Sequence, residues 1–341
     1  MCKTVDGEYG FVLVTGDIGG TKTSLALYTL DRGPRDAIFR KTYPSNDYAS
    51  LEVLVRKFIE EAGLEPSFGT FGVPGPVVEG KSRVTNLPWV VEEVKLKNAL
   101  NFKAVALLND LEAISNSIPV LEDEDLHSLN DERPVLHGSK GVVAPGTGLG
   151  EGFLVWNGNR YTSCRSEGGH TTFAPMNELQ SDLMRFLMER FGHVSCERVC
   201  SGLGIPNIYD FLKQRGRASE PAWLSEELQG TEDRTPVILR VAEEGSSKLC
   251  IETMRVFVSI LGGEAGNLAL KIMATGGMYL AGGIPPRIIP ALESDEFMKA
   301  FRSKGRLGEV LERIPVYVMV NPQSALIGSA RYGLEMMKLF T

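Results

Sequence analysis

Apolar residues first cluster at Phe11-Val12-Leu13-Val14 and again at Leu25-Ala26-Leu27-Tyr28, separated by the polar, glycine-rich stretch GDIGGTKT, 16–23. Two apolar runs joined by a glycine turn predict a β-hairpin. Apolar positions then recur at Leu51, Leu54, Val55, Phe58 and Ile59, the spacing of an amphipathic helix over 48–62. Short apolar runs at 70–73 and 104–108 predict buried strands. The hairpin pattern returns at 140–162, around the glycine loop APGTGLGEG (144–152) and an NGN turn at 157–159. Beyond 178 helices dominate: Leu179, Leu183, Phe186, Leu187 and Phe191 share one face, which stops at Gly192. The longest helical stretch is 248–274. A strand, a Gly-Gly turn and a helix start at Pro285-Pro286 follow over 277–289, then a strand at 316–320 and a final helix. Two segments, 121–134 and 214–236, are polar and turn-prone and read as surface connections. The alternation predicts an α/β protein with a largely parallel sheet fed by an antiparallel hairpin.

Composition narrows the class. A chain of 341 residues suits two domains or one large α/β domain. Net charge is -7 and no basic block appears, so nucleic acid is not an expected partner. The five cysteines are odd in number and lack C-x-x-C spacing, which reads as reduced thiols and a cytoplasmic location. MCKTVDGEYG has no apolar core of a secretory signal. The stretch 248–274 is interrupted by Glu252, Arg255, Glu264 and Lys271, so no membrane span is expected.

The glycine loops carry the first chemistry. GDIGGTKT nearly spells a P-loop, but position 21 is Thr, and the chain continues as a strand where a P-loop must open a helix. APGTGLGEG likewise leads into a strand, against a dinucleotide fingerprint. A third loop, LAGGIPPR (280–287), follows a short apolar run. Glycines at such turns let backbone N–H groups approach an anionic ligand. Thr21, Lys22, Thr23 and Thr147 add side-chain donors for phosphate. Asp17 would repel bare phosphate but suits a magnesium ion and its waters. A single loop of this kind is most simply a tight turn; three in one chain, two in repeated strand–loop–strand units, point to a phosphate ligand.

This order of elements resembles the actin, Hsp70 and sugar-kinase superfamily. Within it the chain is similar to the bacterial-type glucokinases outside the ROK (repressor, ORF, kinase) group. The resemblance rests on GDIGGTK (16–22), TNLPW (85–89), LLNDLEAIS (107–115) and PGTGLG (145–150). It continues through EGGHTTFAP (167–175), VSCERVCSG (194–202) and LAGGIPPR (280–287). It implies a two-domain actin-like (ribonuclease H-like) α/β fold with a ligand cleft between the domains. The small domain would comprise 1–118 plus 322–341 and the large one 119–321.

The resemblance also implies a sugar site of Asn109, Asp110, Glu167, His170 and Glu197, with a backbone contribution at Gly148 and Asn86 close by. Hexose hydroxyls lose water on binding and each must be paired again, so bidentate polar groups are the expected type. ATP would lie on Gly16, Asp17, Ile18, Gly19, Gly20, Thr21 and Lys22, on Gly146, Thr147 and Gly148, and beside Gly282 and Gly283. No direct protein ligand to metal is expected, Asp17 reaching magnesium through water. His193, Cys196 and Cys200 are poorly spaced for zinc and lack a fourth ligand. The cysteine-rich zinc motif of ROK kinases is absent.

The implied reaction is transfer of the ATP γ-phosphoryl group to the 6-hydroxyl of glucose, at the entry to glycolysis, with Asp110 as base and a homodimer as the assembly. Asn109 followed by Glu112 also reads as a helix cap, and Asp110 would then lie in the first turn, where the helix dipole favours its ionised form. Two alternatives stand beside it: a kinase of another hexose or amino sugar, and a non-catalytic sugar sensor. Sensors of related fold usually carry an added helix-turn-helix, and about ten residues before the first strand leave no room for one.

Overall fold

The first hairpin forms around the turn that its pattern marks. Strands β1 (Leu13–Ile18) and β2 (Lys22–Tyr28) pair antiparallel from Leu13–Tyr28 to Ile18–Thr23 and leave Gly19, Gly20 and Thr21 at the bend. The structure is a computed structural model and describes residues 11–84, 87–216 and 218–340. The chain divides into two compact units, Met1–Glu122 with Asn321–Thr341, and Asp123–Val320.

In the first unit β2 also pairs antiparallel with β3 (Phe39–Pro44). On its other side β1 runs parallel to β4 (Phe68–Val73). A separate two-stranded ribbon joins β5 (Lys81–Arg83) and β6 (Val90–Glu92). Parallel to β4 lies β7 (Ala104–Asn109), giving the order β3-β2-β1-β4-β7. The sheet is therefore evenly mixed, two parallel and two antiparallel pairings, where a largely parallel one was expected. The difference is β3, an edge strand with only Tyr43 buried; it has no apolar alternation to reveal it.

Helix α1 (Leu51–Ala62) starts three residues later than its apolar spacing suggests, because Ser50 caps it by accepting from the Val53 N–H. It ends at Gly63 in the left-handed region, φ 66°. Helix α2 (Glu93–Leu100) precedes β7, and α3 (Asp110–Ser117) follows it without a loop. The C-terminal helix Ser324–Met337 returns to this unit. It buries Leu326, Ala330, Leu334 and Met337 against Leu13 and Phe68.

The second unit contains β8 (Leu126–Ser128), β9 (Lys140–Pro145), β10 (Leu149–Trp156) and β11 (Tyr161–Cys164), then β12 (Met278–Leu280) and β13 (Val316–Met319). Their order is β11-β10-β9-β12-β13-β8, with β12 parallel to both β9 and β13. Segment 121–134 is thus not merely a connection: its β8 closes the sheet edge against β13, a tertiary pairing that three residues cannot announce.

Helices α4 (Glu178–Phe191), α5 (Gly204–Gln214), α6 (Ala222–Gln229) and α7 (Thr235–Glu243) lead to α8 (Lys248–Ile272). Segment 214–236, expected as a surface excursion, supplies α6, whose Leu224 and Leu228 enter the core. Most of α8 is buried, and Glu264 lies among its buried residues. Among the described residues no helix is long and apolar enough to cross a membrane. The Pro285-Pro286 pair begins a short 3-10 turn, Pro285–Arg287, rather than a full α-helix.

Candidate active site

The β1–β2 turn is tight: the Gly19 N–H donates to the Lys22 carbonyl at 2.9 Å, and a Cβ on Gly19 would lie 2.7 Å from that oxygen. Its brace is Ser45, which sequence reasoning missed. The Ser45 hydroxyl donates to the Gly19 carbonyl at 2.7 Å, its N–H to the Thr21 carbonyl at 2.9 Å, and Thr23 Oγ1 lies 2.9 Å from its Oγ. The only hint was a lone serine after Pro44, at the end of a strand that the pattern did not reveal. Thr21 and Lys22 are exposed beside the turn. Gly16 answers to packing, since a Cβ there would sit 2.7 Å from Phe71 Cδ1. Ile18 is a core side chain, so its backbone is what it can offer a ligand.

At the end of β7 the cap predicted from sequence is present. Asn109, in extended conformation, accepts the Glu112 N–H on Oδ1 at 2.6 Å and opens α3. Asp110 is the first residue of that helix, exposed, with Oδ1 accepting the Leu111 N–H at 2.9 Å. The half-buried Asp17 of β1 lies within its field. Burial first, and the Asp110 carboxylate second, push the Asp17 carboxyl up to about 6.

In the second unit, the 145–149 loop is crossed by the Gly146 N–H donating to the Gly148 carbonyl at 2.9 Å. Gly202 and Leu203 fasten it from outside, their N–H groups reaching the Gly146 and Thr147 carbonyls at 2.7 and 3.2 Å. Gly202 lies in VSCERVCSG, where sequence reading weighed Glu197 for the sugar and Cys196 and Cys200 for zinc, but not the glycine. Gly282 takes φ 81°, and a Cβ there would lie 2.6 Å from the Pro145 carbonyl oxygen. The Ile284 N–H donates to that same oxygen at 3.2 Å, so the second and third glycine loops are fastened together. Gly283 is exposed, with open space where a side chain would be.

Glu197 sits in a 3-10 turn, Cys196–Arg198. Its Oε2 accepts the Leu149 N–H at 3.1 Å and would be 2.4 Å from a Cβ on Gly148. Glu167 precedes and His170 ends the single turn Gly168–His170, with Nε2 to Oε2 at 3.9 Å and both side chains largely exposed. Gly169 seats this turn on β10, since a Cβ there would lie 2.1 Å from the Leu149 carbonyl oxygen. Within its own unit, each group is gathered: Asp17 with Asp110, and the loops at 146–148 and 282–283 with Glu197 and the 167–170 segment. Asn86 lies outside the described residues. Of the cysteine–histidine trio, His193 Nε2 is 3.2 Å from Thr172 Oγ1 and Cys196 Sγ is 3.3 Å from Glu264 Oε2.

Repeated strand–glycine turn–strand units in two α/β units, with a carboxylate opening a helix in the first, fit the two-domain actin-like fold, and the comparisons place the chain among its sugar kinases. A solved glucokinase from an Antarctic psychrotroph is 28% identical, with a TM-score of 0.85 over 96% of this chain and 99% of that one. A ROK family glucokinase from Streptomyces griseus, solved with glucose and AMPPNP, shares the fold at 18% identity and TM-score 0.61, over 95% and 99% of the two chains. Among curated proteins the Glucokinase of Nostoc punctiforme is 38% identical over 333 residues, 94% of this chain and 98% of the relative. The family model described as Glucokinase matches residues 14–336, and the chain belongs to the glucokinase family.

Proposed function

We propose that this chain transfers the γ-phosphoryl group of ATP to the 6-hydroxyl of D-glucose, giving glucose 6-phosphate and ADP. The observation that carries the proposal is Asp110: a carboxylate fixed at a helix start by the Asn109 cap, at the end of β7, with β4 alone between that strand and the β1 that leads into the first glycine turn. Phosphoryl transfer asks mainly for positioning and charge neutralisation. Glucose is held by Asn109, Asp110, Glu167, His170, Glu197 and the backbone at Gly148. The Asp110 carboxylate takes the hydroxyl proton as that oxygen forms its bond to the γ-phosphorus and the bond to ADP breaks. The Gly19 and Gly146 N–H groups are spent closing their own turns, so the N–H groups at 20–22 and 147–148 bind the phosphate oxygens, and Gly282-Gly283 line the adenosine. The Streptomyces griseus complex, with glucose and an ATP analogue, supports this pair of ligands. The resemblance also implies a cytoplasmic homodimer, which sedimentation of the purified protein would test.

The carboxyls suit magnesium. Asp17 is a hard oxygen donor whose ionised form is disfavoured by burial and by Asp110, and a dication with its waters would relieve both. When bound with ATP, magnesium neutralises charge on the phosphates. Asp17→Asn then separates function from stability. The folded-state value is above the unfolded one, so the ligand-free protein loses stability as pH rises from about 4 to about 6, and the full cost persists above that. Asparagine removes the cost. We expect Asp17→Asn to melt no lower than wild type at neutral pH, by as much as ~2 kcal/mol in its favour after allowance for partial exposure, while kcat falls at least ~100-fold. Paired melting curves and steady-state rates check this; a variant that is both less stable and fully active refutes it.

The test of the function is a coupled assay with ATP and magnesium across glucose, mannose, fructose and amino sugars. Glucose should give the highest kcat/KM. Turnover of another hexose in its place, or of none, would overturn the assignment.

A further inference from the structure

Beneath the sugar-binding candidates of the second unit lies a pair of buried acids that the proposed chemistry does not use. Glu151 of β10 is 2% exposed and Glu264 of α8 is 5% exposed. Oε1 of each is buried with no hydrogen-bond partner, and the Glu264 carboxyl acts on that of Glu151. Two buried carboxylates so placed repel strongly, whereas a carboxyl and a carboxylate sharing one proton attract.

The surroundings connect the pair to the site. Glu151 Oε2 fills the space that a Cβ on Gly168 would need, 2.1 Å away, so the Glu167–His170 segment rests directly on it. Glu264 Oε2 accepts from Cys196 Sγ at 3.3 Å and from Asn267 Nδ2 at 3.0 Å, and Cys196 immediately precedes Glu197. The Cys196 N–H in turn donates to the Thr171 carbonyl at 2.9 Å, tying the two segments together. Other polar groups facing the pair do not neutralise it. Lys271 Nζ is 3.9 Å from Glu264 Oε1 on a mostly exposed side chain. Lys304 spends its donors on the Gly263 carbonyl and Asn267 Oδ1, at 2.8 and 2.6 Å. The Cys196 and Cys200 thiols are pushed up by burial and by these same acids, so they stay neutral.

We propose that Glu151 and Glu264 share a single proton, and that this pair is a positioning device which seats segments 167–170 and 196–197 for sugar binding. Loss of the proton drives the carboxylates apart, and the segment resting on each moves with it. Consistent with this, burial first and Glu264 second push the Glu151 carboxyl up to about 7. The inference rests on the sugar-site reading above, and its tests separate the two.

In wild type the KM for glucose should rise about fivefold from about pH 6 to about pH 8, with kcat changing less, because proton and sugar binding are coupled. By the same linkage glucose binding near pH 7 takes up protons, which calorimetry in buffers of different ionisation enthalpy reads without turnover. Glu151→Gln keeps the shape, donates an amide N–H to Glu264 and has no proton to lose. It should flatten the KM profile and abolish the proton uptake; should it fail to fold, Glu264→Gln asks the same of the other partner.

Melting of the ligand-free protein reports the pair without sugar, added to the Asp17 contribution, and comparison with Glu151→Gln separates the two. Wild type should lose stability as pH rises from about 4.5 to about 7 and then level off, and Glu151→Gln should lose that part of the slope. A wild-type pH profile retained in Glu151→Gln overturns the proposal. So does a pair that titrates in melting while glucose affinity ignores it. Failure to phosphorylate any hexose overturns the function instead, and leaves the melting result standing.

Discussion

Asp110→Asn should lower kcat by about 10³-fold, within the range for loss of a positioned base, and leave the KM for glucose within about threefold. Asparagine keeps an oxygen to accept the Leu111 N–H, now held at 2.9 Å, and keeps a side chain that can pair with a sugar hydroxyl. What it loses is the ability to accept the hydroxyl proton as the oxygen attacks phosphorus. The helix should survive, because its cap is Asn109, whose bond to the Glu112 N–H is untouched. Melting within about 1 kcal/mol of wild type would therefore accompany the loss of turnover. A second effect follows from Asp17: with the Asp110 charge gone, one of the two causes raising its carboxyl disappears, and Asp17 should titrate lower. Single-turnover phosphorylation of glucose is the deciding measurement. A rate within tenfold of wild type would remove Asp110 from the role of base.

The parts of this site that were legible in the sequence are those whose cause is local. Asn109 caps α3 through a residue three positions on, and the β1–β2 and β9–β10 bends follow from glycines between apolar runs. Those features need no knowledge of the rest of the chain. The parts that stayed hidden depend on partners distant in sequence. Ser45 braces the first turn from the end of β3, a strand with one buried residue in six and hence no period to detect. β8 exists because β13 is beside it. Glu264 reads as one of the charges that interrupt an apolar helix, which argues against a membrane helix but conceals its burial beside Cys196. A charge in an apolar stretch excludes one environment without revealing the other, and only the fold shows that this one meets a second acid.

Gly328→Ala should destabilise the first unit by about 3 kcal/mol, even though alanine is the better helix former. Gly328 lies inside the C-terminal helix, so propensity alone predicts a gain of about 1 kcal/mol. The geometry opposes it. A Cβ at this position would fall 1.8 Å from the Ala113 carbonyl oxygen and 2.7 Å from the Ser117 N, both backbone atoms of α3. Backbone of a packed helix cannot rotate aside as a side chain can, so the two helices must separate. Nor can either helix settle against β4 to make room: a Cβ on Gly72 of β4 would meet Ala113 Cβ of α3 at 3.1 Å, and one on Gly333 of the C-terminal helix would meet Thr70 Oγ1 of β4 at 2.5 Å. Buried Arg331 also bridges the helices, reaching Asn116 Oδ1 at 3.2 Å. Because α3 begins at Asp110, its displacement reaches the base, and kcat should fall by more than the unfolded fraction explains. Thermal melting should drop by about 10 °C for a unit of this size. Ala113→Gly, which removes a side chain but not the offending carbonyl, should fail to rescue it. An unchanged or higher melting temperature in Gly328→Ala would show that the helices slide freely, and that α3 is not held in place by the C-terminal helix.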